Sequence, residues 1–309
     1  MTEIAFLFPG QGSQSVGMGR AFFEEFSLAR EIFQQADDVL GFKLSGLCFD
    51  GPENDLKLTK NTQPALLTVS LVAFCALGIN PVIAAGHSLG EYSALVASGS
   101  LKFEEAVLLV HKRGQYMQEA VPVGEGSMAA VMGAEYSEVE KALSQVEKGV
   151  VRIANWNSRE QIVIAGNKLS VEEALIHLSG SRSVMLPVSA PFHCDLMKKA
   201  EEQLAYDLKY VEFRDLKFPI ITNVDAKIIT RGEEARDALR RQVSRSVLWY
   251  PSMQLMEKEG IRLLVELGSG KVLSGLMKRI SREWPEKPEI YHAEDPESLE
   301  KVRSALQKL

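Results

Sequence analysis

The chain has 309 residues, 46% hydrophobic and 25% charged, and its 35 basic and 41 acidic residues give a formal net charge of -6. This length accommodates one large domain with an insertion or two domains, and the acidic balance argues against a nonspecific nucleic-acid binder, which carries a basic surplus. Cys48, Cys75 and Cys194 are odd in number and far apart, with no C-x-x-C pair and no His/Cys ladder, so a reducing compartment and no metal site are expected.

In chain order, residues 3–8 are an apolar run with no basic segment ahead of it. That suits a buried first strand and not a signal peptide, and a cytoplasmic location is expected. A glycine-rich loop, Gly10-Gln11-Gly12-Ser13-Gln14, precedes helices around 20–40. No charged residue occurs from Thr62 to Gly86, a stretch that imitates a membrane span. Gly78, Asn80 and Pro81 cut it into a buried helix over 64–77 and a buried strand at 82–85, so no membrane association is expected. A helix opening at Glu91 and another over 103–119 follow. Helices alternating with apolar strands predict a parallel sheet covered on both faces.

From Ser127 the rhythm changes. Residues 128–132 read as a strand, 137–146 as a helix, 150–154 and 161–165 as paired strands, 171–178 as a helix and 183–188 as a strand. That order, β-α-β-β-α-β, is the split βαβ of a ferredoxin-like unit. The predicted class is therefore α/β, with a large subdomain over 1–123 and 189–309 and an inserted ferredoxin-like small subdomain over 124–188. The large one resumes with a helix at 196–208, a strand at 219–223, a helix at 233–243, a strand at 262–267 and a terminal helix from Lys271.

Gly86-His87-Ser88-Leu89-Gly90 stands between the 82–85 strand and the Glu91 helix. This is the setting of a nucleophile elbow: a serine on a strained strand-to-helix turn, glycines that let the two elements close up, and a helix N-terminus aimed at charge developing on a carbonyl. A tight βα turn with an incidental serine has the same pentapeptide; the flanking elements favour the nucleophile. Its base must come from His87, His111, His177, His193 or His292. An elbow would turn His87 away from the serine, leaving it to hold the turn. His111 and His177 fall within helices, and His292 is near the polar C-terminal tail. His193 lies in a proline-kinked run, residues 189–195, where the insert rejoins the large subdomain, and such junctions form ligand clefts. On the 103–119 helix, Phe103, Ala106, Val110 and Met117 form an apolar stripe that includes Arg113. A buried arginine keeps its proton and needs an anion, either an internal carboxylate or that of a substrate. Two other loops fail on detail. Gly17 is misplaced for a dinucleotide fingerprint begun at Gly10 and Gly12, and after Gly268-Ser269-Gly270-Lys271 Val272 stands where a P-loop needs Ser or Thr.

Several of these segments occur together in one known family. Phe8-Pro9-Gly10-Gln11-Gly12-Ser13-Gln14, the Gly86–Gly90 elbow followed by Glu91-Tyr92, Arg113-Gly114 with Met117-Gln118, and residues 189–193 have the order and approximate spacing of malonyl-CoA:acyl carrier protein transacylases. About residues 3–282 resemble that family. The resemblance implies an α/β-hydrolase-like large subdomain and malonyl transfer from malonyl-CoA to the phosphopantetheine thiol of an acyl carrier protein, in fatty-acid biosynthesis, with no cofactor beyond these substrates. It also implies residue roles: Ser88 as nucleophile, His193 as base and then acid, Gln11 and the Leu89 N–H as oxyanion hole, and Arg113 as clamp for the malonyl carboxylate. Met117 belongs to the same substrate-binding segment, the Gln242 carbonyl would orient the histidine, and Asn155 and Asn157 match the small-subdomain segment bordering the pocket or serve as turn residues. Phe192, where some members carry a smaller residue, should crowd an α-methyl branch. A freestanding acyltransferase of a polyketide pathway and a serine acyl-thioester hydrolase are the alternatives, and a monomer is expected. Activity should fall on the acid side near a free histidine pKa of about 6.5. Lys198-Lys199, Arg240-Arg241, Arg245 and Lys278-Arg279 are candidates to dock an acidic carrier helix, or are solvated helix faces.

Overall fold

The computed structural model describes residues 4–188 and 190–307. Glu3, at the expected start of the first strand, and Ser189 in the junction run lie outside the described residues. The elements run β1 (Ile4–Phe8), α1 (Arg20–Glu25), α2 (Ser27–Leu40), α3 (Leu44–Asp50), α4 (Glu53–Leu56), α5 (Thr59–Leu77), β2 (Ile83–Gly86), α6 (Leu89–Ala97) and α7 (Phe103–Glu119). Then come β3 (Gly126–Met132), α8 (Tyr136–Ser144), β4 (Val151–Ser158), β5 (Gln161–Asn167), α9 (Lys168–His177) and β6 (Arg182–Met185). The chain ends with α10 (Lys198–Leu208), β7 (Ile220–Ile221), β8 (Ile228–Ile229), α11 (Gly232–Gln242), α12 (Trp249–Lys258), β9 (Leu263–Leu267), α13 (Val272–Ile280), β10 (Glu289–Ala293) and α14 (Pro296–Leu306).

These strands build a mixed α/β molecule with two separate sheets. The six-stranded sheet has the order β10-β9-β1-β2-β7-β8, parallel throughout except for the final β7–β8 pair. Alternation along β1 sends Phe6 and Phe8 into the core on one face and Ala5 and Leu7 into that on the other, all fully buried. Burying a side chain of the Phe or Leu class contributes about 1.5–3 kcal/mol, so this strand alone anchors both layers. The second sheet has the order β4-β5-β3-β6, antiparallel at every pair, which is the ferredoxin-like arrangement. Its own core packs Val131, Ile153, Ile162 and Ile164 against Val139 of α8 and Val171 of α9. Asn155 and Val247 form a parallel bridge that joins β4 to the segment after α11, with the Val247 N–H donating to the Ala154 carbonyl and the Trp156 N–H to the Val247 carbonyl, so the small sheet leans on the large subdomain along β4.

The structure corrects the sequence reading in several places. The helix expected from Pro64 begins at Thr59 and carries Pro64 inside it. Proline cannot donate to the Lys60 carbonyl one turn back, and the His111 ring nitrogen Nδ1 donates to that carbonyl instead, at 2.8 Å. The helix from Lys271 is not terminal, because β10 and α14 follow, and His292 sits in β10 beside β9. Helix α12, its first turn rich in aromatics, was also missed, as were the short α3, α4 and β8.

Candidate active site

Ser88 stands between β2 and α6 with φ 51° and ψ -102°, a left-handed backbone that only surrounding packing can hold in a non-glycine residue. The two glycines make the turn possible by close approach. A Cβ on Gly86 would lie 1.8 Å from the Gly90 carbonyl carbon, and one on Gly90 would lie 1.9 Å from the Phe8 carbonyl oxygen. Asn223, just past β7, clamps the turn from the neighbouring strand: its Oδ1 accepts from the Ser88 N–H at 2.7 Å and its Nδ2 donates to the Gly86 carbonyl at 2.7 Å. His87 points away from the serine, as the elbow geometry requires, and its Nε2 meets Asn157 Oδ1 at 2.9 Å while its ring packs near Trp249.

His193 approaches from the loop before α10, also with positive φ, 59°. Its Nε2 lies 2.8 Å from Ser88 Oγ and its Nδ1 lies 2.8 Å from the Gln242 carbonyl oxygen. A carbonyl only accepts, so Nδ1 carries the proton and Nε2 offers its lone pair to the serine hydroxyl. Burial, helped by the Arg113 charge, pushes the imidazole pKa down to about 3. This environment lowers the expected acid limb below the free-histidine value near 6.5 and keeps the ring a neutral base across the physiological range.

Arg113 is 1% exposed, yet its hydrogen bonds go to neutral oxygens: Nη1 to Gln63 Oε1 at 2.8 Å, Nη2 to Gln242 Oε1 at 2.9 Å and to Ser88 Oγ at 3.1 Å. The Tyr92 ring, with its centroid 5.3 Å from the guanidinium carbon, supplies a cation–π face. Of the two readings left open by the sequence, the internal ion pair is absent among the described residues. A buried cation held by neutral amides next to a serine hydroxyl has the chemistry to receive an anionic group.

Gln11, Ser88, Leu89, Arg113, Met117, Asn155, Phe192 and His193 line one cavity of about 130 Å³. Leu89 is the first residue of α6, so its N–H belongs to the positive end of that helix. Gln11 reaches Thr59 Oγ1 with its Nε2 at 3.4 Å, at the start of α5. Gln242 supports the cavity from behind through His193 and Arg113, and Asn157 touches it only by way of His87. A larger groove of about 710 Å³ reaches the other side of His193, between Arg152 and Tyr136 of the small subdomain and Lys198, Ser244 and Arg245 of the large one.

Gln63, Glu91 and Asn223 were missed in the sequence. Gln63 is the last amide before the apolar part of α5, and Asn223 is a polar residue at the carboxyl end of a parallel strand, the place where ligands gather in open α/β sheets, so both left a faint signal. Glu91 was read only as a marker of the family motif. The cationic candidates divide. Arg241 holds Asp225 with two bonds of 2.8 and 2.6 Å and Asp237 at 2.7 Å, Arg240 holds Glu201 and Asp237 at 2.9 Å each, and Lys198 holds Glu201 at 2.7 Å. Lys199, Arg245, Lys278 and Arg279 are exposed and have no ion-pair partner among the described residues.

Sheet, elbow and cavity define the class as acyl transferase: the family model described as acyl transferase domain matches residues 5–268. The malonyl CoA-acyl carrier protein transacylase of Bacillus subtilis (strain 168) is 43% identical over 316 residues, covering 100% of this chain and 98% of the relative. That of Escherichia coli (strain K12) is 46% identical, covering 91% of this chain and 93% of the relative. A crystal structure of an acyl carrier protein S-malonyltransferase from Vibrio cholerae superposes with a TM-score of 0.94 at 42% identity, covering 97% of this chain and 100% of that one. The chain belongs to the malonyl CoA-acyl carrier protein transacylase family.

Proposed function

We propose that this chain moves a malonyl group from malonyl-CoA to the thiol of an acyl carrier protein through an ester on Ser88, in the service of fatty-acid synthesis. The observation that carries the reading is Ser88 Oγ held at 2.8 Å from His193 Nε2 and 3.1 Å from Arg113 Nη2 within one cavity. His193 Nε2 takes the hydroxyl proton as Oγ attacks the thioester carbonyl. The oxyanion of the tetrahedral intermediate is held by the Leu89 N–H and Gln11. The carbon–sulfur bond breaks, His193 returns the proton to the departing CoA thiolate, and malonyl-Ser88 remains. The carrier thiol then gives its proton to His193 and attacks the ester, and Ser88 leaves with that proton. Arg113 grips the distal carboxylate in both half-reactions, fixing the carbonyl over Oγ and selecting against uncharged acyl groups. A simple thioester hydrolase needs no such cation, which favours transfer of an anionic acyl group over hydrolysis.

The small cavity is sized for the acyl group and the groove beyond His193 for the arm that bears the thiol. Residues 124–188 act in this reading as an inserted subdomain that walls both. The described residues include no group of three or more His, Cys, Asp or Glu side chains placed to hold a metal, and no helix long and apolar enough to cross a membrane. A cytoplasmic monomer without bound cofactor is the working description. The test is intact-protein mass after mixing with malonyl-CoA, with and without a phosphopantetheinylated carrier. A malonyl adduct that discharges to the carrier and only slowly to water is expected; rapid discharge to water, or no adduct, would overturn the reading.

A further inference from the structure

We propose that Glu91, which no step of the transfer uses, is the positioning residue that fixes the Gln242 side chain and thereby sets Arg113 for the malonyl carboxylate. This rests on the function proposed above.

Glu91 lies in the first turn of α6, is fully buried, and faces away from the cavity into the space between α6, α11 and the end of β7. Its Oε2 accepts from the Asn223 N–H at 2.9 Å and from Gln242 Nε2 at 2.8 Å. The Gln242 amide nitrogen also approaches the Ser88 carbonyl at 3.1 Å and Asn223 Oδ1 at 3.2 Å. Every group on that side of the amide is an acceptor, and the single partner on the other side, Arg113 Nη2, can only donate. The amide therefore has one orientation, with its oxygen on the guanidinium. Turned over, it would press an NH2 against Arg113 and its oxygen against a carboxylate.

The backbone carbonyl of the same residue holds His193 Nδ1, so Gln242 touches both base and clamp, and Glu91, the nearest acceptor to its amide nitrogen, favours the side-chain orientation in which the Arg113 contact exists. Burial raises the Glu91 carboxyl to about 7 against the lowering effect of its hydrogen bonds and Arg113, with Asp225 adding to the rise. Oε2 remains an acceptor in either protonation state, with Oε1 free among the described residues to carry a proton. The acceptor, not the charge, is the essential property.

Two variants separate these properties. Glu91→Gln can keep an oxygen at the Oε2 position and should retain near-native malonyl kinetics, whereas Glu91→Met unpairs the Asn223 N–H and removes the shortest of the Gln242 Nε2 contacts, leaving only the longer ones to Ser88 and Asn223, and should lower malonyl acylation by about 10²-fold. Acetyl acylation, which does not use the clamp, should fall much less, so the malonyl-to-acetyl ratio of kcat/KM drops. In the Arg113→Ala background the further malonyl loss from Glu91→Met should be far smaller than in the wild type, because both act through one contact. Circular dichroism and thermal unfolding establish that the variants are folded. An unchanged malonyl-to-acetyl ratio in folded Glu91→Met, or losses additive with Arg113→Ala within about twofold, would reduce Glu91 to a structural group and overturn the proposal. If Glu91→Met does not fold, an Arg113-independent loss of the ratio in Glu91→Gln does the same. Failure of the wild type to form a malonyl adduct is a separate result, which falls on the transfer reading.

Discussion

The two sheets contribute unequally to one cavity. From the parallel-sheet subdomain come Ser88, His193, Arg113 and the amides that hold them; from the antiparallel insert come Met128, Asn155 and Leu186, which are walls. Parallel strands deliver their carboxyl ends to one edge, so β2 with the Ser88 elbow and β7 with Asn223 place polar groups side by side over a rigid support. The insert buries its apolar faces in its own core and reaches over the cavity with an irregular stretch of β4, where the register shifts between Ile153 and Asn155. Substitutions on the first side should stop chemistry, and those on the second should adjust it.

The largest expected effect is that of Ser88→Ala, which should abolish the malonyl adduct and lower turnover by about 10⁶-fold, as when other serine nucleophiles are removed. Intact mass reads the adduct directly, and the turn should survive because Gly86, Gly90 and Asn223 hold it. An undiminished adduct would break the division between the two subdomains at its centre. Arg113→Ala comes next. Removing a partner of a desolvated charge pair costs about 2–5 kcal/mol, so malonyl kcat/KM should fall by roughly 10² or more while acetyl transfer is largely kept. Equal losses on both substrates would make Arg113 a structural cation.

The acid side of the pH profile tests how deeply the parallel-sheet side is sealed. Only neutral imidazole can take the serine proton, so activity is lost as pH falls through the His193 value in the folded enzyme, depressed to about 3. Arg113 and His87 both face the ring and push in the same direction as burial. Acylation by malonyl-CoA should therefore stay level through pH 6.5 and decline only on approach to acid unfolding. The stability sign agrees: between 6.5 and about 3 the unfolded chain binds the extra proton, so His193 makes folding progressively less favourable as pH drops. A limb near 6.5 in single-turnover acylation would show a ring open to water.

How much of this was readable in the sequence follows the same division. The elbow and the split βαβ were legible because each rests on local pattern: glycine spacing, or alternating periodicity. Arg113 was legible because it interrupts an apolar stripe. The His193 pKa, the Gln63 and Asn223 contacts and the role of Glu91 depend on what lies across 49 to 151 positions of sequence, and no local pattern carries that. The Pro64 helix was misjudged for the same reason, since the donor that compensates the proline belongs to His111 on another helix. The cationic docking pairs were too many because sequence shows charge but not its partners.

Smaller effects belong to the insert. Asn157→Ala should change malonyl kcat/KM by about threefold to tenfold, the worth of its hydrogen bond to His87, and Asn155→Ala, which alters only a wall of the cavity, by no more than that. Asn157 acts through His87 Nε2 at 2.9 Å, so its loss should loosen the elbow without removing any reacting group. Losses in either variant as large as those in Arg113→Ala would assign chemistry to the insert and erase the contrast drawn above.

The smallest effect expected lies at the surface and depends on salt. An acidic carrier helix would be attracted by cations that are not already neutralised, which excludes Lys198, Arg240 and Arg241, held by Asp225, Asp237 and Glu201, and leaves Lys199, Lys278 and Arg279 exposed, with Arg245 exposed in the groove beside His193. Lys199→Glu, Lys278→Glu and Arg279→Glu should raise the KM for the carrier without slowing Ser88 acylation by malonyl-CoA. The difference from the wild type should shrink as added salt brings the screening length to about 8 Å and below. Arg241→Glu should behave otherwise: it sets a carboxylate against Asp225 and Asp237, so it should lower the unfolding temperature and alter carrier kinetics only through lost stability. A salt-dependent rise in carrier KM in folded Arg241→Glu, with none at the three substituted exposed positions, would move the docking surface onto α11 and make its ion pairs exchangeable for carrier carboxylates.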